Sequence, residues 1–136
     1  EDVAKLRALT ELELDFTAVT DRGMKAISGL KGLKVLAARN TKITDKGVEE
    51  LVALRDLVAL HLASTKITDA GVKELTALKE LRELNFANTG VTDAGIAQLS
   101  ALKNLTRLNL SGSKTTEEGM ANLRKALPKC VVFKIS

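Results

Sequence analysis

His61 is the only histidine and Cys130 the only cysteine, so side chains able to act as base, nucleophile or soft metal ligand are few. A catalytic imidazole needs a nucleophile or proton donor within hydrogen-bond reach. The spacing brings one carboxylate, Glu83, diagonally near His61; Ser64 falls past the end of the same segment and Cys130 lies far along the chain. That set lacks a nucleophile, and no catalytic residue is expected. One histidine with one carboxylate also makes a poor zinc site, and no paired-glycine phosphate loop is present, so neither metal nor cofactor is expected. Cys130 has no internal disulfide partner, and within the run Cys130, Val131, Val132, Phe133 it reads as a small buried hydrophobe.

The charged residues suggest a different chemistry, because Lys31, Arg55, Lys79 and Lys103 recur every 24 residues. Regular positive charge can follow a phosphate backbone, which makes an anionic polymer one alternative ligand for this basic column. Acidic Asp56 and Glu80 follow immediately, and the chain has no Trp or Tyr on which bases would stack. The better reading places these cations at helix C-termini, where the helix dipole favours them, and nucleic acid is not the expected partner. The 21 basic and 17 acidic residues are interleaved, so the net charge of +4 serves solubility. At 45% hydrophobic and 28% charged the composition is that of an ordinary folded domain. No apolar run reaches the length of a membrane span. The chain opens at Glu1 with no Met, basic n-region or apolar h-region, so targeting information is either absent or already removed.

The 24-residue spacing of the basic column belongs to a pattern that runs through the whole chain. From Leu57 the skeleton is Leu57, Leu60, Leu62, Thr65, Ile67, Thr68, Asp69, Gly71, Val72, Leu75 and Leu78. One period earlier it is Leu33, Leu36, Ala38, Thr41, Ile43, Thr44, Asp45, Gly47, Val48, Leu51 and Leu54. Strict periodicity of this kind marks a solenoid in which each coil buries its face against the next. Residues 1–136 then form a single repeat domain. It comprises a partial helix over 1–8, repeats starting at 9, 33, 57, 81 and 105, and a terminal strand over 130–136 entered after one inserted residue near Pro128.

Each repeat opens with alternating apolar positions, as in Leu60 and Leu62, the mark of a short strand with one buried face. Strands from successive repeats are expected to pair in parallel, about 4.8 Å apart, so that equivalent side chains form columns. Thr68 and Asp69 then supply acceptors for the first free N–H groups of a helix, and Asp69 suits the positive end of its dipole. Thr20 with Asp21, Thr44 with Asp45 and Thr92 with Asp93 repeat the device, while Thr116 with Glu117 varies it. A glycine in the first helical turn costs about 0.8 to 1 kcal/mol against Ala. Its recurrence at 23, 47, 71, 95 and 119 implies close approach of backbone between coils. The column Thr17, Thr41, Thr65, Thr89 and Ser113 is expected to bond backbone carbonyls where the chain turns inward. Phe16, just past the first strand, is expected to tuck under that turn.

These residues resemble the leucine-rich repeat superfamily, whose core is L-x-x-L-x-L-x-x-N, with Leu81, Leu84, Phe86 and Thr89 in the corresponding places. Val91, Thr92, Asp93, Ala94, Gly95, Ile96 and Leu99 resemble the T-D-x-G branch. That branch is similar to ribonuclease-inhibitor-like and cysteine-containing repeats and is common in bacterial members. The resemblance implies an α/β right-handed solenoid with a parallel sheet on the concave face and short helices on the convex face. It also implies a non-enzymatic interaction module, most often for another protein.

With the strands lining the concave side, one outward column holds Glu11, Val35, Ala59, Glu83 and Arg107. The next holds Glu13, Ala37, His61, Asn85 and Asn109, and a third, at the rim, holds Asp15, Arg39, Ala63, Ala87 and Ser111. Glu11, Glu13 and Asp15 make an acidic end, and the alanines leave a shallow apolar floor around His61. The expected partner-binding residues are Glu11, Glu13, Asp15, Val35, Arg39, Ala59, His61, Glu83, Asn85 and Arg107. Alternative roles are a spacer segment within a longer repeat protein and end-to-end self-association through the N-terminal edge.

Overall fold

The computed structural model describes residues 9–135, so the partial helix expected over 1–8 lies outside the described residues. Six strands, β1 Glu11–Glu13, β2 Val35–Ala37, β3 Ala59–His61, β4 Glu83–Asn85, β5 Arg107–Asn109 and β6 Val131–Phe133, form one sheet in chain order, and every neighbouring pair is parallel. Between them run α1 Asp21–Ile27, α2 Asp45–Leu51, α3 Asp69–Leu75, α4 Asp93–Gln98 and α5 Glu117–Ala126. The result is an α/β leucine-rich repeat solenoid, with strands along the concave side and helices along the convex side.

The spine of the coil is the core. Leu33, Leu36, Leu57, Leu60, Leu62, Leu75, Leu78 and Leu81 are fully buried, as are Ile43, Ile67, Val48 and Val72 from the turns and helices. A leucine placed there gains roughly 2 kcal/mol from removal of its apolar surface from water, and the same gain recurs in each coil. The threonine column performs as its spacing predicts: Thr41, Thr65 and Thr89 are nearly buried, and their hydroxyls donate to the carbonyls of Ala38, Leu62 and Phe86 at 2.9, 2.6 and 2.7 Å. Ser113 departs from it and shares a hydrogen bond with Thr115 at 2.8 Å.

The recurring Thr-Asp-x-Gly is one interlocking device rather than a cap and a separate glycine. Asp21, Asp45, Asp69 and Asp93 each reach forward to the next coil, where Oδ1 accepts the backbone N–H of Thr44, Thr68, Thr92 and Thr116 at 2.7 to 2.8 Å. The other carboxylate oxygen of each accepts the hydroxyl of the same threonine. The glycine follows from this. A Cβ added at Gly47, Gly71, Gly95 or Gly119 would fall on the carboxylate of Asp21, Asp45, Asp69 or Asp93, so the space is kept for a side chain and not, as expected, for an approaching backbone. Own-helix capping by threonine is the smaller part of the device. Thr44, Thr92 and Thr116 accept helix N–H groups at 3.2 to 3.3 Å, while Thr20 and Thr68 accept none. Glu117 takes the aspartate's place in α5, and its side chain is 82% exposed.

At the last coil the residue expected as an insertion near Pro128 is present but is taken back before the strand. The Cys130 N–H bonds the Leu127 carbonyl as the Leu105 N–H bonds that of Leu102, an offset of 25, whereas Arg107, Leu108 and Asn109 pair with Val131, Val132 and Phe133 at an offset of 24. A one-residue slip exchanges the two faces of a strand. Accordingly Val132, not Phe133, continues the buried leucine column, and Phe133 joins the concave face. Phe16 does not tuck inward either: it has φ of 60° and is 76% exposed. The same turn position is left-handed in Asn40, Ser64, Asn88 and Gly112, and of these asparagine and glycine adopt it more readily than a phenylalanine does.

Two predictions follow from these contacts. Asp69→Ala removes both charge-assisted bonds to Thr92 and is expected to lower stability by about 2 kcal/mol in urea denaturation, whereas Glu117→Ala changes it by about 0.5 kcal/mol or less. Phe16→Asn is expected to raise stability by about 1 kcal/mol by relieving the left-handed strain, while Phe16→Ala, which keeps a Cβ without asparagine's local hydrogen bonding, recovers less.

Candidate functional site

Strand alternation turns Leu60 and Leu62 inward and leaves Ala59, His61 and Ala63 on the outer side of the sheet. The paired register assembles the columns as the repeat predicts, with Val35 beside Ala59, Ala59 beside Glu83, and Ala37, His61, Asn85 and Asn109 in line. The alanines do not form an apolar patch. Ala37, Ala59, Ala63 and Ala87 are 4 to 8% exposed, because a methyl set between longer neighbours keeps little accessible surface. They form a sunken floor, and the side chains that rise around it carry the available chemistry.

Those side chains converge over β3 to β6. A shallow cavity of about 170 Å³ is lined by Arg39, His61, Glu83, Leu84, Asn85, Arg107, Asn109 and Phe133. Five of the expected binding residues, Arg39, His61, Glu83, Asn85 and Arg107, therefore meet at one place. Glu11 and Glu13 stand apart on β1, and Val35 lies between them and the floor. Asp15 is committed elsewhere: its carboxylate accepts the Arg39 backbone N–H at 2.7 Å and pairs with the Arg39 guanidinium at 2.8 Å. The acidic end is accordingly weaker than three free carboxylates, and Arg39 stands at the margin of the cavity as a paired and not a free cation.

Asn109 and Phe133 complete the cavity although neither was among the expected binding residues. The repeat places Asn109 one coil beyond Asn85, and that continuation was the signal for it. Phe133 was missed because the outward columns were followed only as far as Arg107, Asn109 and Ser111, and the register extends the second of them to Phe133. It now lies beneath Arg107, whose guanidinium carbon is 4.9 Å from the ring centroid, a cation–π arrangement.

His61 is held neutral. Burial pushes its pKa below the usual 6.5, and the nearby Arg39 cation lowers it further, against the opposing pull of Glu83 and Asp15. Its Nδ1 is buried without a hydrogen-bond partner. Cys130 is buried as its apolar run predicts, with its thiol pushed up to about 11 by burial, a value that leaves almost no thiolate at neutral pH. Among the described residues no three His, Cys, Asp or Glu side chains gather in a metal-binding group. None of the described helices is long and apolar enough to cross a membrane.

The convex side offers a larger, open groove of about 460 Å³ between α4 and α5, lined by Ala97, Ser100, Asn122 and Ala126 with Asp93 and Glu118. Asp93 is already spent on Thr116, whose hydroxyl and N–H hold its pKa below the usual carboxylate value. The basic column lies past the helices and not, as expected, at their C-termini: Lys31, Arg55 and Lys79 stand in the turns four residues beyond Ile27, Leu51 and Leu75, and Lys103 two residues beyond the short turn Leu99–Ala101 that follows α4. Lys31, Arg55, Lys79 and Lys103 are exposed, and Arg55 donates to the Ala77 carbonyl at 3.1 Å.

The neutral His61 makes stability depend on pH. The unfolded imidazole takes up a proton near 6.5 while the folded one resists it, so stability is expected to fall as pH drops below that value toward the lowered folded pKa. In His61→Gln that part of the slope should vanish; an unchanged slope would place its cause elsewhere.

Comparison with known proteins agrees with this geometry. None of the curated proteins matches the chain. Among solved structures, a leucine-rich repeat protein of Leptospira interrogans is 29% identical, covers 97% of this chain and 38% of its own, and superposes with a TM-score of 0.66. An internalin of Listeria monocytogenes is 21% identical, covers 96% of this chain and 42% of its own, with a TM-score of 0.69. The chain thus spans about two fifths of the length of either structure, and the more distant one speaks to fold alone. The family model described as a leucine-rich repeat region matches residues 1–134. With coils, interlock and family pattern in agreement over nearly its whole length, the chain belongs to the leucine-rich repeat family.

Proposed function

We propose that the chain is a non-enzymatic interaction module that binds a partner protein on its concave sheet face. The observation that carries this reading is the gathering of His61, Glu83, Asn85, Arg107, Asn109 and Phe133 around one cavity on that face. The side chains on this face differ from coil to coil, whereas the buried spine does not. A partner meets a fixed backbone lattice with changeable contacts, and the low alanine floor lets its main chain approach closely. Membership in a family that commonly mediates protein interactions supports the same reading.

No specific observation favours the alternatives as strongly. The cations of the basic column lie on another surface and alternate with Asp56 and Glu80, which weakens the case for a polyanion. The spacer reading calls for no gathered polar cavity on the concave side.

The test is affinity capture from native extract with wild type beside Ala59→Arg. The guanidinium would fill the floor next to His61, and its exit toward solvent spares the core, so the fold should survive. The variant is expected to lose the wild-type partner by about tenfold or more, which is about 1.4 kcal/mol of binding. Recovery of the same molecules by both, with matching circular dichroism, would remove the concave face from consideration.

A further inference from the structure

We propose that the cavity over β3 to β6 receives the carboxylate of an acidic side chain from a partner peptide, an inference that rests on the concave-face reading and gives its partner a chemistry. The argument begins with two asparagines whose orientation is fixed by the backbone. Asn85 Oδ1 accepts the Ala87 N–H at 3.0 Å, and Asn109 Oδ1 accepts the Ser111 N–H at 3.0 Å. Each bond determines which end of the amide faces the chain. Both Nδ2 groups are therefore turned away, and neither donates to an acceptor among the described residues.

Asn85 and Asn109 are register partners on adjacent strands, so the two side chains that carry the free donors stand side by side, one strand spacing of about 4.8 Å apart at the backbone. Arg107 adds charge beside them. It is exposed, rests over Phe133, and makes no ion pair among the described residues, whereas Arg39 is taken by Asp15. Two amide donors and a guanidinium thus share a cavity in which His61 contributes no charge. The group that answers several donors at once is a carboxylate, with two oxygens that each accept more than one bond, and charge-assisted bonds of this kind are about twice as strong as neutral ones.

The remaining features narrow the class. Glu83 stands on the same wall as the register partner of Arg107 without pairing with it; its charge works against every anion and most strongly against one that carries more than a single negative charge, which Arg107, the one free cation among the described residues of the cavity, could not offset. A volume of about 170 Å³ holds one side chain and little more. Phe133 supplies an apolar wall for the methylenes of that side chain. The ligand is accordingly a singly charged acidic side chain on an extended segment, and not a phosphate or a polyanion.

The experiment uses the whole chain, labelled with nitrogen-15, titrated with the α-amide of N-acetyl-L-glutamate and separately with its glutamine isostere. The expected result is a saturable shift of the Asn85 and Asn109 side-chain amide signals with half-saturation on the order of 10 mM for the glutamate compound, and at least fivefold weaker binding of the glutamine compound. Asn109→Asp keeps the acceptor for the Ser111 N–H but exchanges the donor for negative charge, and Arg107→Gln removes the cation from an exposed position. Both are expected to abolish the shift with an otherwise unchanged spectrum. Equal shifts from the two compounds, no saturation up to about 50 mM, or retention in both variants would overturn the proposal. None of those results bears on Ala59→Arg, so the concave reading stands or falls separately.

Discussion

Successive coils are held in step by a carboxylate that belongs to one coil and is satisfied by the next. Aspartate in the first helical turn accepts both the N–H and the hydroxyl of a threonine 23 residues on, and the glycine three residues after that threonine leaves room for it. Without the carboxylate, the threonine N–H at the mouth of the next helix would lose its acceptor at a crowded junction between coils. On the opposite side of each coil, the strand ladder fixes the same offset. Leucines between the two ladders can then meet in columns, because both edges of the coil are pinned to one translation.

This arrangement separates stability from recognition. Residues that point inward answer to packing, which tolerates little change in volume. Residues that point outward from the strands answer only to the lattice spacing, and the chain uses that freedom to set acidic side chains on β1, alanine over the middle, and asparagine, arginine and phenylalanine toward β6. The spent pair of Asp15 and Arg39 shows that part of the outward charge is structural. It ties the rim of the first coil to that of the second, and leaves Arg107 as the unpaired cation of the cavity.

Much of the fold was legible because it is periodic. The leucine spine, the threonine hydroxyls and the parallel register all follow from residues that recur at one interval, and periodicity carries its own confirmation. What escaped was whatever depends on a neighbour not adjacent in sequence or on a single special dihedral. Asp69 looks like a cap for its own helix; only the stacked geometry shows that Thr92 is its partner. Phe133 was missed because an apolar run does not reveal which of two faces a strand turns inward, and one residue of slip reverses the answer. The side chain of Phe16 was misjudged because a left-handed turn aims Cβ at solvent regardless of hydrophobicity. Within the site, the two adjacent columns that carry Glu83 with Arg107 and His61 with Asn85 were readable, while the commitment of Asp15 to Arg39 was not.

The backbone bonds of Asn85 and Asn109 have a further consequence for thermodynamics. A long polar side chain usually gives up rotational freedom when it grips a ligand, and that loss offsets much of the contact it makes. Here the freedom has been surrendered during folding, when the amide oxygen was tied to the N–H two residues ahead. A small contact surface can then discriminate sharply at modest affinity, since association need not freeze the groups that do the selecting.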